Sequence, residues 1–261
     1  MGFPSRVKLG RTGIEVGPLA VSGGYDVDAR SLREALDRGV NYWYHGSIRR
    51  AGMTAAIRET VAAGRRDDLV IALQSYSRWA WFMEMTFERG LKALGLDHAD
   101  VLLLGWFNSM PPDAVMERVE KMRARGLFRF LAVSSHERTM FPKFAADKRF
   151  DILHIRYNAA HPGAERDVFP VMGADNRPGT VAYTATSWGQ LLDPRRMPSG
   201  EKPLRGRDCY RFVLSNPDFN VCMTGPKNAD QMREALAALD DGPVSAAESE
   251  RFRRIGSHAH G

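Results

Sequence analysis

A chain of 261 residues with 44% hydrophobic and 26% charged residues has the composition of an ordinary globular protein, which excludes disordered and collagen-like classes, and its length suits one large α/β domain over residues 1–261. Lys and Arg outnumber Asp and Glu by 37 to 31, a net charge of +6; no basic stripe accompanies it, so nucleic acid is not an expected partner and a small, anionic molecule is favoured slightly. Apolar runs such as Val101–Leu104 are too short to span a bilayer and residues 1–10 lack a signal-peptide core, so no membrane contact and a cytoplasmic location are expected.

Val7–Leu9 and Ile14–Val16 flank the turn Gly10-Arg11-Thr12-Gly13, which predicts a small hairpin that plugs or covers part of the main fold. Strand-like runs then follow near 19–22, 41–45, 68–74, 99–106, 128–134, 151–157, 179–185 and 219–224, with helical segments between most of them. Phe87, Leu91 and Leu94 recur at the helical period, as do Val115, Val119 and Met122, and Met232, Leu236 and Leu239; each set is a stripe that faces a sheet. The strands themselves are continuously apolar, as parallel strands buried on both faces must be. Right-handed crossovers through eight such units predict a closed (β/α)8 TIM barrel with helices outside. Gly39, Gly64, Gly95 and Gly126 stand where helix C-caps are needed. Residues 191–203 read as a surface loop over the seventh strand, Arg207–Leu214 and Ser245–Ile255 as helices, and His258-Ala259-His260 as a short tail. Cys209 and Cys222 lack close spacing and are expected as buried, reduced thiols.

The densest polar cluster is the stretch 41–50, where an aromatic strand runs through Tyr44 and His45 into Gly46 and ends at Arg49 and Arg50. Its groups can donate protons or hold charge. A second concentration, Arg156, Asn158, His161 and Glu165, follows the sixth strand; Arg156 could grip an anionic group with its planar fork, or pair with Glu165 or another acid. His45, His136, His154 and His161 all fall near strand ends, but no carboxylate joins them at ligand spacing, so structural histidines are expected and no metal site. Lys227 follows a Gly-Pro turn and precedes a helix whose N-terminus attracts phosphate; it is either a phosphate ligand or a solvated surface lysine.

The hairpin Leu9-Gly10-Arg11-Thr12-Gly13, Gly39-Val40-Asn41-Tyr42, Ala99–Leu104 before Trp106, Ala132-Val133-Ser134, Tyr157-Asn158 and Thr224-Gly225-Pro226-Lys227 together resemble the aldo-keto reductase superfamily, in the right order over nearly the whole chain. The resemblance implies NADP(H), with NAD(H) as the alternative, and reduction of a small carbonyl compound. It also implies an Asp, Tyr, Lys and His at the barrel mouth, and here Tyr44, Arg49, Gln74 and Gly105 stand in those four places. Tyr44 is then the candidate proton donor, with Gln74 as the expected partner of its hydroxyl, Arg49 or Arg156 as the expected anchor of an anionic substrate, and the space over Gly105 as the place where the Tyr44 phenol would lean. For the cofactor the resemblance points to Ser134 and Ser135 and to His154, in place of a Gln, around the carboxamide. It points further to Tyr183 beneath the nicotinamide, and to Lys227, Gln231 and Glu234 around the adenosine phosphate and adenine. Against the redox reading stand a barrel enzyme of another class (a lyase, isomerase or hydrolase) built on Tyr44, His45, Arg49 and Arg156, and a non-catalytic ligand-binding barrel.

Overall fold

The computed structural model describes residues 2–46, 48–173 and 176–260; Ser47, within the polar stretch 41–50, lies outside them. A two-residue antiparallel hairpin, β1 (Val7–Lys8) and β2 (Glu15–Val16), pairs Val7 with Val16. Eight further strands follow: β3 (Leu19–Ser22), β4 (Tyr42–Tyr44), β5 (Val70–Ser75), β6 (Ala99–Leu104), β7 (Phe128–Ser134), β8 (Ile152–Arg156), β9 (Gly179–Tyr183) and β10 (Val221–Thr224). All eight pair in parallel with their neighbours, and β10 returns to β3 to close the barrel. This is the (β/α)8 architecture expected from the alternation of apolar strands and helical stripes, with the hairpin in front.

Strand alternation sorts the apolar residues into two layers. Ala20, Tyr42, Ala72, Val101, Ala132, Ile152 and Val181 fill the barrel interior, while Leu102, Leu104, Leu131 and Leu153 face the helices. The helical stripes are buried against that outer layer in α3 (Ala80–Leu94) and α4 (Asp113–Ala124); in α8 (Ala229–Asp241) Met232 and Leu236 are buried and Leu239 partly so. The four glycines expected at helix ends all have left-handed backbone.

The hairpin closes the amino-terminal end of the barrel. Leu9 and Val16 are fully buried with the interior residues, and the Arg11 amide donates to the Arg177 carbonyl at 2.8 Å. A Cβ on Gly10 would lie 2.2 Å from the Gly179 nitrogen, so only glycine lets the turn press against the start of β9.

Two expectations are corrected at the carboxyl end of the chain. The stretch 191–203 is not wholly superficial: it contains two short 3-10 turns, and Leu191 is fully buried. His258 to His260 are not a tail but the last turn of α9 (Ala246–His260), which Ala259, buried, and the edge-on contact of His260 with the His161 ring at 4.5 Å hold to the barrel. No helix among the described residues is long and apolar enough to cross a membrane.

Candidate active site

Inward-facing residues at the carboxyl ends of the strands end in polar and aromatic groups, whereas those deeper in the barrel are mostly aliphatic or small. A cavity of about 470 Å³ opens there, within the usual range for a small-molecule site and on the face where barrels of this kind carry their chemistry. Of the residues singled out from the sequence, Tyr44, Ser134, His154, Tyr183, Lys227, Gln231 and Glu234 all line it. They come from five segments of the chain, and the parallel closure of β10 on β3 and β9 brings the last three beside the first four.

Each group is held in a definite state. The Ser134 hydroxyl oxygen accepts from the Trp106 amide at 2.9 Å, which leaves its own hydrogen free to donate. The Tyr183 hydroxyl donates to the Ser135 carbonyl at 3.0 Å; burial pushes this phenol up to about 12, against the opposing pull of Arg156. His154 bonds the Tyr42 hydroxyl at 2.9 Å, and its burial brings its pKa down to about 3, so it is neutral at any ordinary pH. The N-terminus of α8 is capped by Asn228, which accepts from the Gln231 amide at 3.0 Å. The Gln231 side chain in turn accepts from the Lys227 amide at 2.9 Å, leaving the Lys227 ammonium in solvent.

Arg49, Gln74, Arg156 and Ser135 do not line the cavity. Arg49 is exposed, with a left-handed backbone at φ 47°. The Ser135 hydroxyl is spent in a turn, its one hydrogen within reach of the Asn108 side-chain oxygen and the Glu137 carbonyl and its oxygen accepting from the Glu137 amide at 2.9 Å. Arg156 is half-buried and acts from behind the wall, where its charge, after burial, holds His136 below its ordinary range. Nor does Arg156 pair with Glu165: that carboxylate is taken by Arg253 of α9 at 2.7 Å and by the Tyr157 hydroxyl.

The expected bond between Tyr44 and Gln74 is absent. The Tyr44 hydroxyl instead lies 3.4 Å from that of Tyr76, and the Gln74 side-chain oxygen is buried with no hydrogen-bond partner among the described residues. The space over Gly105 is filled, but by Tyr76: a Cβ on Gly105 would meet the Tyr76 ring carbons at 2.4 and 2.5 Å. Gly105→His is therefore expected to destabilise the protein by about 1–3 kcal/mol, because the imidazole and the ring cannot share the niche. Chemical denaturation checks this, and a neutral result would mean that the Tyr76 ring leaves its seat at no cost.

Sequence reasoning passed over Tyr25, Tyr76 and Trp188, weighed His136 only as a metal ligand and gave Trp106 no role, yet all five line the cavity. Trp106 stacks on His136 with centroids 5.0 Å apart. Trp106 and Trp188 both hold a positive φ, 62° and 54°, while more than half exposed. A bulky residue in that backbone region costs energy and recurs at functional sites. Their position directly after strand ends was the signal available in the sequence.

The sequence model of the aldo/keto reductase family matches residues 24–204. The chain is 23% identical to an uncharacterized oxidoreductase, YrpG, of Bacillus subtilis (strain 168), over 89% of this chain and 90% of that one. In three dimensions it superimposes on the aldo-keto reductase AKR11C1 from Bacillus halodurans, in its apo form (TM-score 0.77, 18% identity) and in its holo form (TM-score 0.78, 17% identity), covering 96% of this chain and 95% of that one in both. That likeness is one of fold. The family match spans more than half of the chain, and on that ground the protein belongs to the aldo/keto reductase family of oxidoreductases.

Proposed function

We propose that the protein is a cytoplasmic oxidoreductase that uses NADP(H), with NAD(H) as the alternative, to reduce a small carbonyl compound. The observation that carries this reading is the single cavity shared by Ser134 and Tyr183 at one end and Lys227, Gln231 and Glu234 at the other. The chemistry of those groups fits a dinucleotide. Ser134 has a hydrogen to give to a carboxamide oxygen, Tyr183 offers a ring held by its own hydroxyl, and Lys227 stands before the N-terminus of a 13-residue helix, where a phosphate is favoured by both charge and dipole.

When bound, the reduced nicotinamide supplies the hydride. The remaining task of the chain is to hold the carbonyl in place and to give its oxygen a proton, and the phenol pair Tyr44 and Tyr76 is the group of this cavity able to do so. The positive charge of Arg156, behind Tyr183 and His136, favours a substrate with an anionic group. Arg49, exposed outside the cavity, has no part in this reading.

NADPH should quench the fluorescence of Trp106 and Trp188 and raise the melting temperature. Lys227→Glu should weaken binding about tenfold, or about 1.4 kcal/mol, through loss of the cation and repulsion of the phosphate. No response to either NADPH or NADH at millimolar concentration would sink the reading.

A further inference from the structure

We propose that Tyr76 hands the proton to the carbonyl oxygen and that the Tyr44 hydroxyl, behind it, donates a hydrogen bond to the Tyr76 oxygen as that proton leaves. This rests on the reading of the cavity as a carbonyl-reducing site and names the residue that completes it.

Three features single out Tyr76. The first is its seat. The ring lies against Gly105, where any side chain would collide with it, so the chain provides an opening at the barrel mouth shaped for this phenol. The second is its anchor: Arg78 donates to the Tyr76 carbonyl at 2.8 Å, to the Gly105 carbonyl at 3.2 Å and to the Trp106 carbonyl, and its guanidinium lies 3.6 Å from the centre of the Phe107 ring. The exposed Arg78 side chain thus ties the loop after β5 to the loop after β6 and keeps the ring over its niche. The third is its access. Tyr76 is 52% exposed and lines the cavity, so its hydroxyl reaches both a bound carbonyl and water.

Tyr44 has the complementary character. It is half-buried on β4 with its ring 6.5 Å from that of His154, and burial, with Tyr76 nearby, pushes its pKa well above that of an ordinary phenol. A phenol that keeps its proton in this way can donate a hydrogen bond to the Tyr76 oxygen as charge develops there. The two hydroxyls at 3.4 Å are longer than an ordinary O–H···O bond; such bonds commonly tighten when substrate binds.

The step balances. As the hydride forms the new C–H bond, the carbonyl oxygen takes the π electron pair and the Tyr76 proton, giving the alcohol. The Tyr76 phenolate, held by the hydrogen bond from Tyr44, regains its proton from water. The carbonyl is reduced and the nicotinamide oxidised, with no further reactant.

The test compares wild type, Tyr76→Phe, Tyr44→Phe and Gly105→Ala, with para-nitrobenzaldehyde as the carbonyl and NADPH binding measured separately by fluorescence. Tyr76→Phe should lower kcat by about 10²–10⁴-fold, the range for loss of a positioned acid, with KM and the NADPH affinity nearly unchanged. Gly105→Ala, which keeps the hydroxyl but displaces the ring, should lose kcat in the same way. Tyr44→Phe should lose about tenfold in kcat with KM nearly unchanged. Without turnover, the tyrosine NMR signal that disappears in Tyr44→Phe should shift in Tyr76→Phe.

Wild-type turnover in Tyr76→Phe, or loss confined to Tyr44→Phe, overturns the assignment while NADPH binding leaves the cofactor reading intact. An unshifted Tyr44 signal overturns the hydrogen bond from Tyr44 to Tyr76. Wild type that binds NADPH but reduces no aldehyde overturns both the assignment and the carbonyl chemistry, and failure to bind NADPH overturns the cofactor reading as well.

Discussion

Moving the protein from about pH 7 to about pH 5 should remove about 4 kcal/mol of folding stability, about 2 kcal/mol from each of two buried histidines. His154 is buried in the barrel with only the Tyr42 hydroxyl as partner, and its pKa falls to about 3. His45 is buried beside Thr54, bonded at 2.9 Å, and burial together with Arg50 brings it down to about 4. Both rings are neutral in the folded state, whereas in the unfolded chain they take up protons below about 6.5. The unfolded state therefore binds more protons as the pH falls. The stability that these two rings contribute is whole above about 6.5 and is lost progressively towards 4 and 3. His161, also lowered to about 4, acts in the same direction. Melting temperatures across this range check the expectation. His154→Gln, which keeps a polar partner for Tyr42 and cannot titrate, should reduce the slope by close to one proton, and an unchanged slope would show that the ring is protonated inside the barrel.

Leu9→Ala should cost about 2–5 kcal/mol, the range for a fully buried leucine that leaves a cavity behind. Leu9 is the stopper of the amino-terminal end: it is fully buried, and its side chain packs on Gly179, where a Cβ would meet its Cγ and Cδ1 at 2.7 Å. The Gly10 turn is pressed against backbone and cannot follow a shrinking side chain inward, so the space should stay empty. The effect should appear in the denaturation midpoint. Once folded, the variant should bind NADPH as the wild type does, because Leu9 lies at the end of the barrel opposite the cavity. A drop in affinity equal to the drop in stability would mean that the two ends do not act separately.

Much of the molecule can be read from local pattern. Strands continuously apolar at Val101–Leu104, stripes such as Phe87, Leu91 and Leu94, and glycines at helix ends each depend on a few neighbouring residues, and period and polarity alone decide which face turns inward. The family resemblance pointed to Tyr44, Ser134, His154 and Tyr183 at the strand ends and to Lys227 after the last strand, and all five line the cavity. What a side chain does once inside depends on partners distant in sequence. Gln74 is on β5, two residues before Tyr76 in the loop that follows, yet the Tyr44 hydroxyl turns to Tyr76, because Gly105, just past the end of β6, leaves room for that ring and Arg78 holds it there. Glu165 goes to Arg253, 88 residues away, and not to Arg156, because α9 packs across the barrel exterior and brings Arg253 to it. Ser135 supplies its backbone carbonyl to Tyr183 and keeps its hydroxyl for a turn. The sequence by itself determined the barrel and its inner face, since these follow from short-range periodicity, but of the residues it offered for the mouth Arg49, Gln74, Ser135 and Arg156 lie off the cavity. Only the tertiary structure decided which phenol meets which, because hydrogen-bond distance and van der Waals exclusion act between segments that only the closed barrel brings together.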